Sequence, residues 1–127
     1  VMMYKEVVAL DAVTADTLSE EIGVRGAEKI TLLLTRANHG SGASTFYVKG
    51  KLPGSTTYVD LNLLIDNVVN SNVQTIARVA TKAISGANGS VLVALDLDHF
   101  GFESIKVGVT ETTDGTHSAI VFVEFED

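Results

Sequence analysis

Apolar and polar side chains alternate along most of this chain. Val59, Leu61, Leu63 and Ile65 fall in one phase, for example, with Asp60 in the other. Because successive side chains of an extended strand point to opposite faces, a period of two predicts strands with one buried and one solvated face. Four segments follow this pattern: residues 57–65, 73–83, 91–97 and 105–110.

Four further segments complete the predicted strands. Residues 30–36 and 119–125 are more continuously apolar, which is typical of central strands or of strands covered on both faces. Residues 4–10 and 45–52 bring the total to about eight strands. The sequence therefore predicts an all-β fold, a two-sheet antiparallel β-sandwich of about eight strands. A jelly roll is one form that it could take, and a small barrel is the alternative.

Turn residues separate these strands. Residues 38–44, 53–55 and 86–90 are rich in glycine, serine and asparagine or contain the one proline of the chain. Asp114 and Gly115 lie between two β-rich runs, and Asp-Gly is the preferred pair for a two-residue type I′ hairpin. We therefore expect the strands on either side of this pair to be hydrogen-bonded to each other.

The segment from residue 12 to residue 26 is ambiguous. Asp16 or Ser19 could cap a short helix, but Gly23 and Gly26 would end it quickly. We favour a loop with a short strand around residues 21–24. The sequence shows no repeat and no linker, so we expect one domain over residues 1–127, with residues 1–6 as a possible N-terminal arm.

Composition narrows the functional classes. Val, Ile and Thr make up 37 of 127 residues, which suits pleated strands. The chain has no cysteine, so disulfides, thiol nucleophiles and thiolate metal sites are excluded. Its net charge of −7 and its scattered basic residues do not favour a nucleic-acid partner. We expect no membrane-spanning segment and no signal peptide, and hence synthesis in the cytoplasm.

Catalytic patterns are incomplete. His39 lies in a Gly/Ser-rich turn near Ser41 and Ser44, but the Gly-x-Ser-x-Gly elbow of serine hydrolases is absent. No phosphate-binding loop fits either, because Gly42 is not followed by the Lys-Ser or Lys-Thr pair. We interpret this segment as a solvated turn and His117 as a residue at a hairpin end. The sequence does not predict an enzyme or a cofactor.

The candidate metal ligands are three carboxylates. Asp96 and Asp98 share a strand face in the predicted pattern, His99 is adjacent and Glu103 follows shortly after. Oxygen ligands from a strand end and a loop could hold calcium, although no EF-hand loop is present. The alternative is that these carboxylates form the solvated face of a strand, and we predict no metal site.

Two phenylalanines are candidates for contact with a partner. Phe100 and Phe102 flank Gly101 in a short predicted loop. They could form an apolar plug at one end of the sandwich, or they could pack against a neighbouring subunit. Carbohydrate recognition usually depends on exposed aromatic side chains, and this chain has three tyrosines, five phenylalanines and no tryptophan.

Three stretches resemble small virion proteins of tailed bacteriophages. They are residues 30–42 (ITLLLTRANHGSG), 63–67 (LLIDN) and 105–117 (IKVGVTETTDGTH). The resemblance covers most of the chain in its succession of strands and turns. It implies a head decoration or cement protein, a β-sandwich that binds across neighbouring major capsid subunits in the virion, often as a trimer. Such a protein stabilises the shell because it binds only the assembled state.

The resemblance also assigns contacts. Residues 1–6, with Met2, Met3 and Tyr4, would add a strand to a neighbouring subunit, and Phe100 and Phe102 would pack against a partner. The acidic residues 124–127 could instead protect an edge strand from unwanted pairing.

Two other functions stay open at this point. A carbohydrate-binding or host-attachment module would need an exposed aromatic patch or a calcium site near residues 96–103. A tail or filament subunit would assemble with helical symmetry.

Overall fold

The computed structural model describes residues 2–126, which contain twelve β-strands and no helix. None of these residues forms a helix that is long and apolar enough to span a lipid bilayer. The strands are β1 (Met2–Val13), β2 (Thr17–Leu18), β3 (Ile22–Gly23), β4 (Ala27–Ala37), β5 (Ala43–Lys51), β6 (Val59–Leu61), β7 (Leu63–Asn70), β8 (Val73–Val79), β9 (Lys82–Ser85), β10 (Gly89–Leu95), β11 (Ser104–Thr110) and β12 (Thr116–Glu126).

The strands form two antiparallel six-stranded sheets. Sheet A has the order β1-β12-β4-β10-β7-β8. In sheet B, β11 and β5 are central, with β2 and β3 on the outer edge of β11 and with β6 and β9 on the outer edge of β5. This arrangement confirms the predicted all-β antiparallel sandwich.

One apolar layer lies between the two sheets. Alternate side chains of each central strand are buried in it, as the period of two requires. Its fully enclosed members include Leu32, Leu34, Phe46, Val48, Ile105, Val107, Val121 and Val123. Because both sheets contribute inward side chains to the same layer, neither sheet has a core of its own.

Two predicted strands are in fact split between the sheets. Residues 57–65 divide at Asn62 into β6 of sheet B and β7 of sheet A, and residues 73–83 divide into β8 of sheet A and β9 of sheet B. The alternation continues through the crossing at Asn62, so periodicity alone could not reveal it. At the second crossing the inward phase shifts, from Val79 in β8 to Ile84 in β9, and Ala83 is exposed. The short strand expected around residues 21–24 is confirmed as β3, and no helix forms at Asp16 or Ser19.

The segment considered as an N-terminal arm lies in an edge strand of this chain. Residues 2–6 belong to β1 and pair with residues 122–126 of β12, from Met2 opposite Glu126 to Glu6 opposite Phe122. Val1 and Asp127 lie outside the described residues. Within residues 2–126, β1 pairs with β12 alone and forms one edge of sheet A.

The prediction of a hairpin at Asp114-Gly115 is wrong. β11 belongs to sheet B and β12 to sheet A, so residues 111–115 carry the chain from one sheet to the other. Gly115 has a φ of 75°, but Asp114 does not have a positive φ, which a type I′ turn requires. A Cβ at residue 115 would lie 2.6 Å from the Ala37 carbonyl oxygen and 3.0 Å from the His39 nitrogen. Glycine is needed here for a close backbone crossing.

We predict that Gly115→Ala destabilises the fold by about 1–3 kcal/mol or more, since the new methyl group adds a clash with backbone atoms to a left-handed conformation. Gly23→Ala is the matched control, because a Cβ there would have no neighbour within 4 Å. Urea denaturation of both variants measures the difference. Equal midpoints for the two variants would contradict the close crossing.

Candidate functional site

A pocket opens at one end of the sandwich, where β5 and β10 finish and β11 begins. We call it the end pocket; its volume is about 240 Å³. Its walls are mainly apolar, with a few polar groups at the side. The lining residues are Leu52, Val59, Asp60, Leu61, Asn62, Arg78, Leu95, Asp96, Phe100 and Phe102.

The two phenylalanines take different roles in the end pocket. Phe102 is buried and packs over Gly50 beside Leu61, so it closes this end of the apolar layer. Phe100 is 55% exposed and stands at the rim, its ring stacked on that of Phe102 at 6.4 Å between centroids. The pair therefore combines an interior plug with an exposed aromatic edge.

Asp96 is the charged residue of the pocket wall that has the most polar partners within the chain. Its carboxylate is 2.6 Å from an Arg78 guanidinium nitrogen and 3.0 Å from His99 Nδ1, and it accepts a hydrogen bond from the Asp98 backbone N–H at 3.0 Å. The Arg78 hydrogen bond, with help from His99 and against the effect of burial, lowers the pKa of Asp96 to about 2. Asp96 is thus ionised and fully occupied by partners within the chain.

The candidate metal ligands do not converge. β10 ends at Leu95, so Asp96 and Asp98 lie in a turn and do not share a strand face as predicted. Asp98 is exposed, and Glu103 lies 3.5 Å from the ammonium group of Lys51. Within residues 2–126, no three Asp, Glu or His side chains come together in a way that could hold a metal ion.

The other candidate contact residues lie on a different edge of the molecule. Met2, Met3 and Tyr4 are in β1, and the side chains of Met3 and Tyr4 are exposed. β1 and β8 are the two opposite edge strands of sheet A. The structure therefore does not bring this group together with Phe100 and Phe102, which line the end pocket beside β8.

A hairpin of β7 and β8 extends beyond the sandwich. We call residues 66–76 the projecting hairpin; all eleven are exposed, on both faces of the ribbon. β7 meets β10 only at Leu63 and Leu64, so the hairpin has no further strand beside it. Its exposed large apolar side chains are Val68, Val69, Val73 and Ile76. The sequence predicted residues 73–76 as part of a half-buried strand and assigned no strand to residues 66–72.

A polar cluster is buried at the other end of the apolar layer. Arg36 and His117 have no exposed surface and His39 is 2% exposed, so the interpretation of His39 as part of a solvated turn is wrong. Arg36 donates to the Ile84 carbonyl and to His39 Nδ1, and Asp114 lies 3.0 Å from that same nitrogen. Across residues 2–126, Arg36 Nε is the buried side-chain polar atom without a hydrogen-bond partner.

The cluster contains a serine–histidine pair that a substrate cannot reach. Ser44 Oγ lies 2.7 Å from His117 Nε2, which is the distance expected of a nucleophile and its base. Both side chains are fully enclosed, however. Burial lowers the pKa of His117, and the nearby His39 and Arg36 lower it further. The pair therefore acts as a neutral hydrogen bond inside the core.

No protein-family model matches this chain, and no curated protein matches its sequence. Two solved structures do align with this chain. The "SPBc2 prophage-derived protein YomS" superimposes with a TM-score of 0.65 at 11% identity, over 98% of this chain and 95% of that one. The two proteins share a fold. A chain of the structure of infectious bursal disease virus, Gx strain, aligns with a TM-score of 0.33 at 9% identity, over 97% of this chain and 41% of that one.

The YomS likeness shows the fold alone, because 11% identity does not carry residue roles across. It extends over nearly the full length of both chains, so the likeness covers the whole sandwich. The viral alignment is too low to support any statement about this chain.

Sequence reasoning missed the buried cluster, although a signal for it was present. Arg36 continues the phase of the buried Leu32 and Leu34, and His117 begins the phase of Ala119 and Val121. Polar residues in the buried phase of a strand are the signal of an enclosed polar network. In the projecting hairpin the apolar residues Val68, Val69, Val73 and Ile76 do not keep one phase, which agrees with the absence of a single buried face there.

We predict that Arg78→Met raises the pKa of Asp96 from about 2 toward the ordinary value, since the main group that stabilises its charge is gone. Carboxyl ¹³C chemical shifts followed across a pH titration measure this change. Lys49→Met is the control, because it removes the partner of Asp60 instead. A midpoint that stays near 2 in Arg78→Met would show that the ion pair is not the cause.

We predict that the protein loses stability as the pH falls from 7.5 to 5.5. The folded pKa of His117 is below its ordinary value of about 6.5. The unfolded chain therefore takes up a proton first, and the free energy of unfolding decreases as the pH falls below about 6.5. Thermal melting across this range should show the slope in the wild type and in the exposed-site control His99→Gln. His117→Gln should flatten it, and an unchanged slope in that variant would contradict this origin.

Proposed function

We propose that this chain is a structural subunit of a phage-type virion, of the head-decoration class, that acts by assembling with other subunits. The observation that carries the proposal is the projecting hairpin. Its eleven exposed residues include four large aliphatic side chains, Val68, Val69, Val73 and Ile76, none of which is buried in the apolar layer. Exposed apolar surface of this kind is typical of interaction sites.

The hairpin needs support from outside the chain. A two-stranded ribbon on its own is marginally stable in water, because it has no face on which to bury side chains. Residues 66–76 bury none within the sandwich. A partner that covers Val68 and Ile76 would supply the missing contacts, and this favours a protein that completes its structure in an assembly.

The fold is consistent with this class. YomS is described as derived from a prophage, and it shares the fold over nearly its whole length. A decoration protein binds across neighbouring major capsid subunits and stabilises the shell through mass action, because it binds the assembled state. We propose the virion as its location and a trimer as its oligomeric state, with a tail or filament subunit as the alternative within the same class.

A second candidate is a carbohydrate-binding or host-attachment module. Phe100 favours it, because an aromatic ring exposed at the rim of a pocket can stack against a sugar. The side chains of Asp60 and Asn62 lie beside it and could hydrogen-bond to hydroxyl groups.

Purified particles of the phage whose genome encodes this chain provide the test. We expect the chain in the particles by mass spectrometry and on the head surface by electron microscopy, in a fixed ratio to the major capsid protein. Particles from which it has been removed should take it up again and gain resistance to heat. A variant with Val68→Asp and Ile76→Asp should not bind, while Leu92→Asp, at another exposed aliphatic position, should bind normally.

Three results would separate the alternatives. Location along the tail would favour the tail subunit. Absence from the particles, combined with glycan binding that Phe100→Ala abolishes, would favour the attachment module. Absence from the particles together with failure to bind them would overturn the proposal.

A further inference from the structure

We propose that Asn88 is a site of spontaneous covalent modification, at which the side-chain amide is lost and an isoaspartyl or aspartyl residue takes its place. Asn88 lies in the exposed turn between β9 and β10, directly before Gly89, the first residue of β10. The modification is independent of any role in a virion, because every group that it needs lies in this turn and in the loop beside it.

The reaction needs water and no other reactant. The backbone nitrogen of Gly89 attacks Cγ of Asn88, so a Cγ–N bond forms and a succinimide ring closes. The Cγ–Nδ2 bond breaks, and the Gly89 amide proton leaves with the NH2 group as ammonia. Water then opens the ring. Attack at Cγ gives aspartate, whereas attack at the backbone carbonyl carbon gives isoaspartate, whose main chain runs through Cβ and Cγ and is one atom longer.

Glycine after Asn88 gives the attacking nitrogen access. Asparagine is thermolabile, but a side chain on the following residue obstructs the approach of its nitrogen. Of the six asparagines, Asn88 is the one that glycine follows, while Asn67 and Asn72 precede valine, which branches at Cβ. Packing also requires glycine at this position, since a Cβ on Gly89 would lie 2.9 Å from Ile84 Cγ2. The reactive pair is therefore built into the start of β10.

The carbon that is attacked has a hydrogen-bond donor in place. The Asn38 backbone N–H donates to Asn88 Oδ1 at 3.1 Å. Negative charge develops on Oδ1 as the nitrogen adds to Cγ, and a donor already aimed at that oxygen stabilises it in the way of an oxyanion hole. The Asn88 side chain is also exposed, so water can reach the ring and ammonia can leave. The fold thus supplies a stabilising contact that the unfolded chain would lack.

The same turn holds a loop over the buried polar cluster. The His39 backbone N–H donates to the Ala87 carbonyl at 3.0 Å, and Gly89 pairs with Arg36. In isoaspartate an additional main-chain atom separates Ala87 from Gly89, which changes the spacing of these two contacts. Aspartate keeps the main chain, and its carboxylate can accept the hydrogen bond that Asn88 Oδ1 accepts now. We therefore expect isoaspartate to release His39 and aspartate to keep it in place.

Peptide mapping by mass spectrometry tests the reaction. The folded full-length chain is incubated at mildly alkaline pH, and isoaspartate is identified by its methylation with an isoaspartyl methyltransferase. We expect Asn88 to convert at least about ten-fold faster than the other five asparagines, and within about ten-fold of its rate in a free peptide of residues 85–91. Asn88→Gln should stay intact at this position, because the longer side chain closes a ring far more slowly.

Two alanine variants separate the role of Gly89 from the effect of any glycine substitution. Gly89→Ala should slow the conversion about ten-fold or more, and circular dichroism checks that it folds. Gly23→Ala should convert like the wild type, because a Cβ there has no neighbour within 4 Å. Wild-type conversion in Gly89→Ala would overturn the proposal. So would an Asn88 that reacts more slowly in the folded wild type than the two limits above.

Hydrogen exchange tests the effect on the loop. The isoaspartyl form is separated from the incubated protein by chromatography, and Asn88→Asp supplies the aspartyl form directly. We expect the His39 amide to exchange about ten-fold faster or more in the isoaspartyl form and at the wild-type rate in Asn88→Asp. Equal exchange in both forms would show that the turn does not hold this loop, and would overturn that part of the proposal.

Discussion

The shared apolar layer between the sheets is the interaction on which the rest of this structure depends. Neither sheet can stay folded in water without the other, because the inward side chains of both form one continuous core. The two ends of this layer are closed in different ways. At one end, Arg36, His39 and His117 form an enclosed polar network. At the other, Phe102 closes the layer, and beyond it lies the end pocket.

The two ends therefore differ in how far they are closed to solvent. The polar side chains of the network find their hydrogen-bond partners within the chain. These partners include Ser44, Asp114 and the Val13 carbonyl. The end pocket has mainly apolar walls that are open to solvent. The projecting hairpin starts beside the same pocket, so the uncovered surfaces of this chain are concentrated in one region.

The sequence predicted the class of fold because alternation is a local property that both sheets share. The inward phase of β4, β5 and β12 is visible in residues 30–36, 45–52 and 119–125. What alternation cannot contain is information about neighbours. The crossing at Asn62 keeps the same phase in both sheets. The Asp-Gly pair at residues 114–115 is compatible with a hairpin as well as with a crossing, and the identity of the next strand decides between them.

The candidate site was only partly predictable for the same reason. Asp96, Phe100 and Phe102 could be selected from sequence, because they combine charge and aromatic character near a strand end. Arg78 could not, since it is 18 residues away and meets Asp96 only through the pairing of β7, β8 and β10. Only residues 73–76 of the hairpin fell within a predicted strand, and nothing in the sequence indicated that β7 extends to Asn70 and pairs with β8 beyond the sandwich.

The two sheet crossings have a mechanical consequence. β6 and β9, which precede and follow the hairpin along the chain, both pair with the same edge of β5, one near each end of that strand. A force applied to the hairpin is therefore transmitted to sheet B through two strand pairings, β6 with β5 and β9 with β5. It is also transmitted to sheet A through β7. Pulling the hairpin free would require both pairings with β5 to break, so tension on the hairpin is distributed over both sheets.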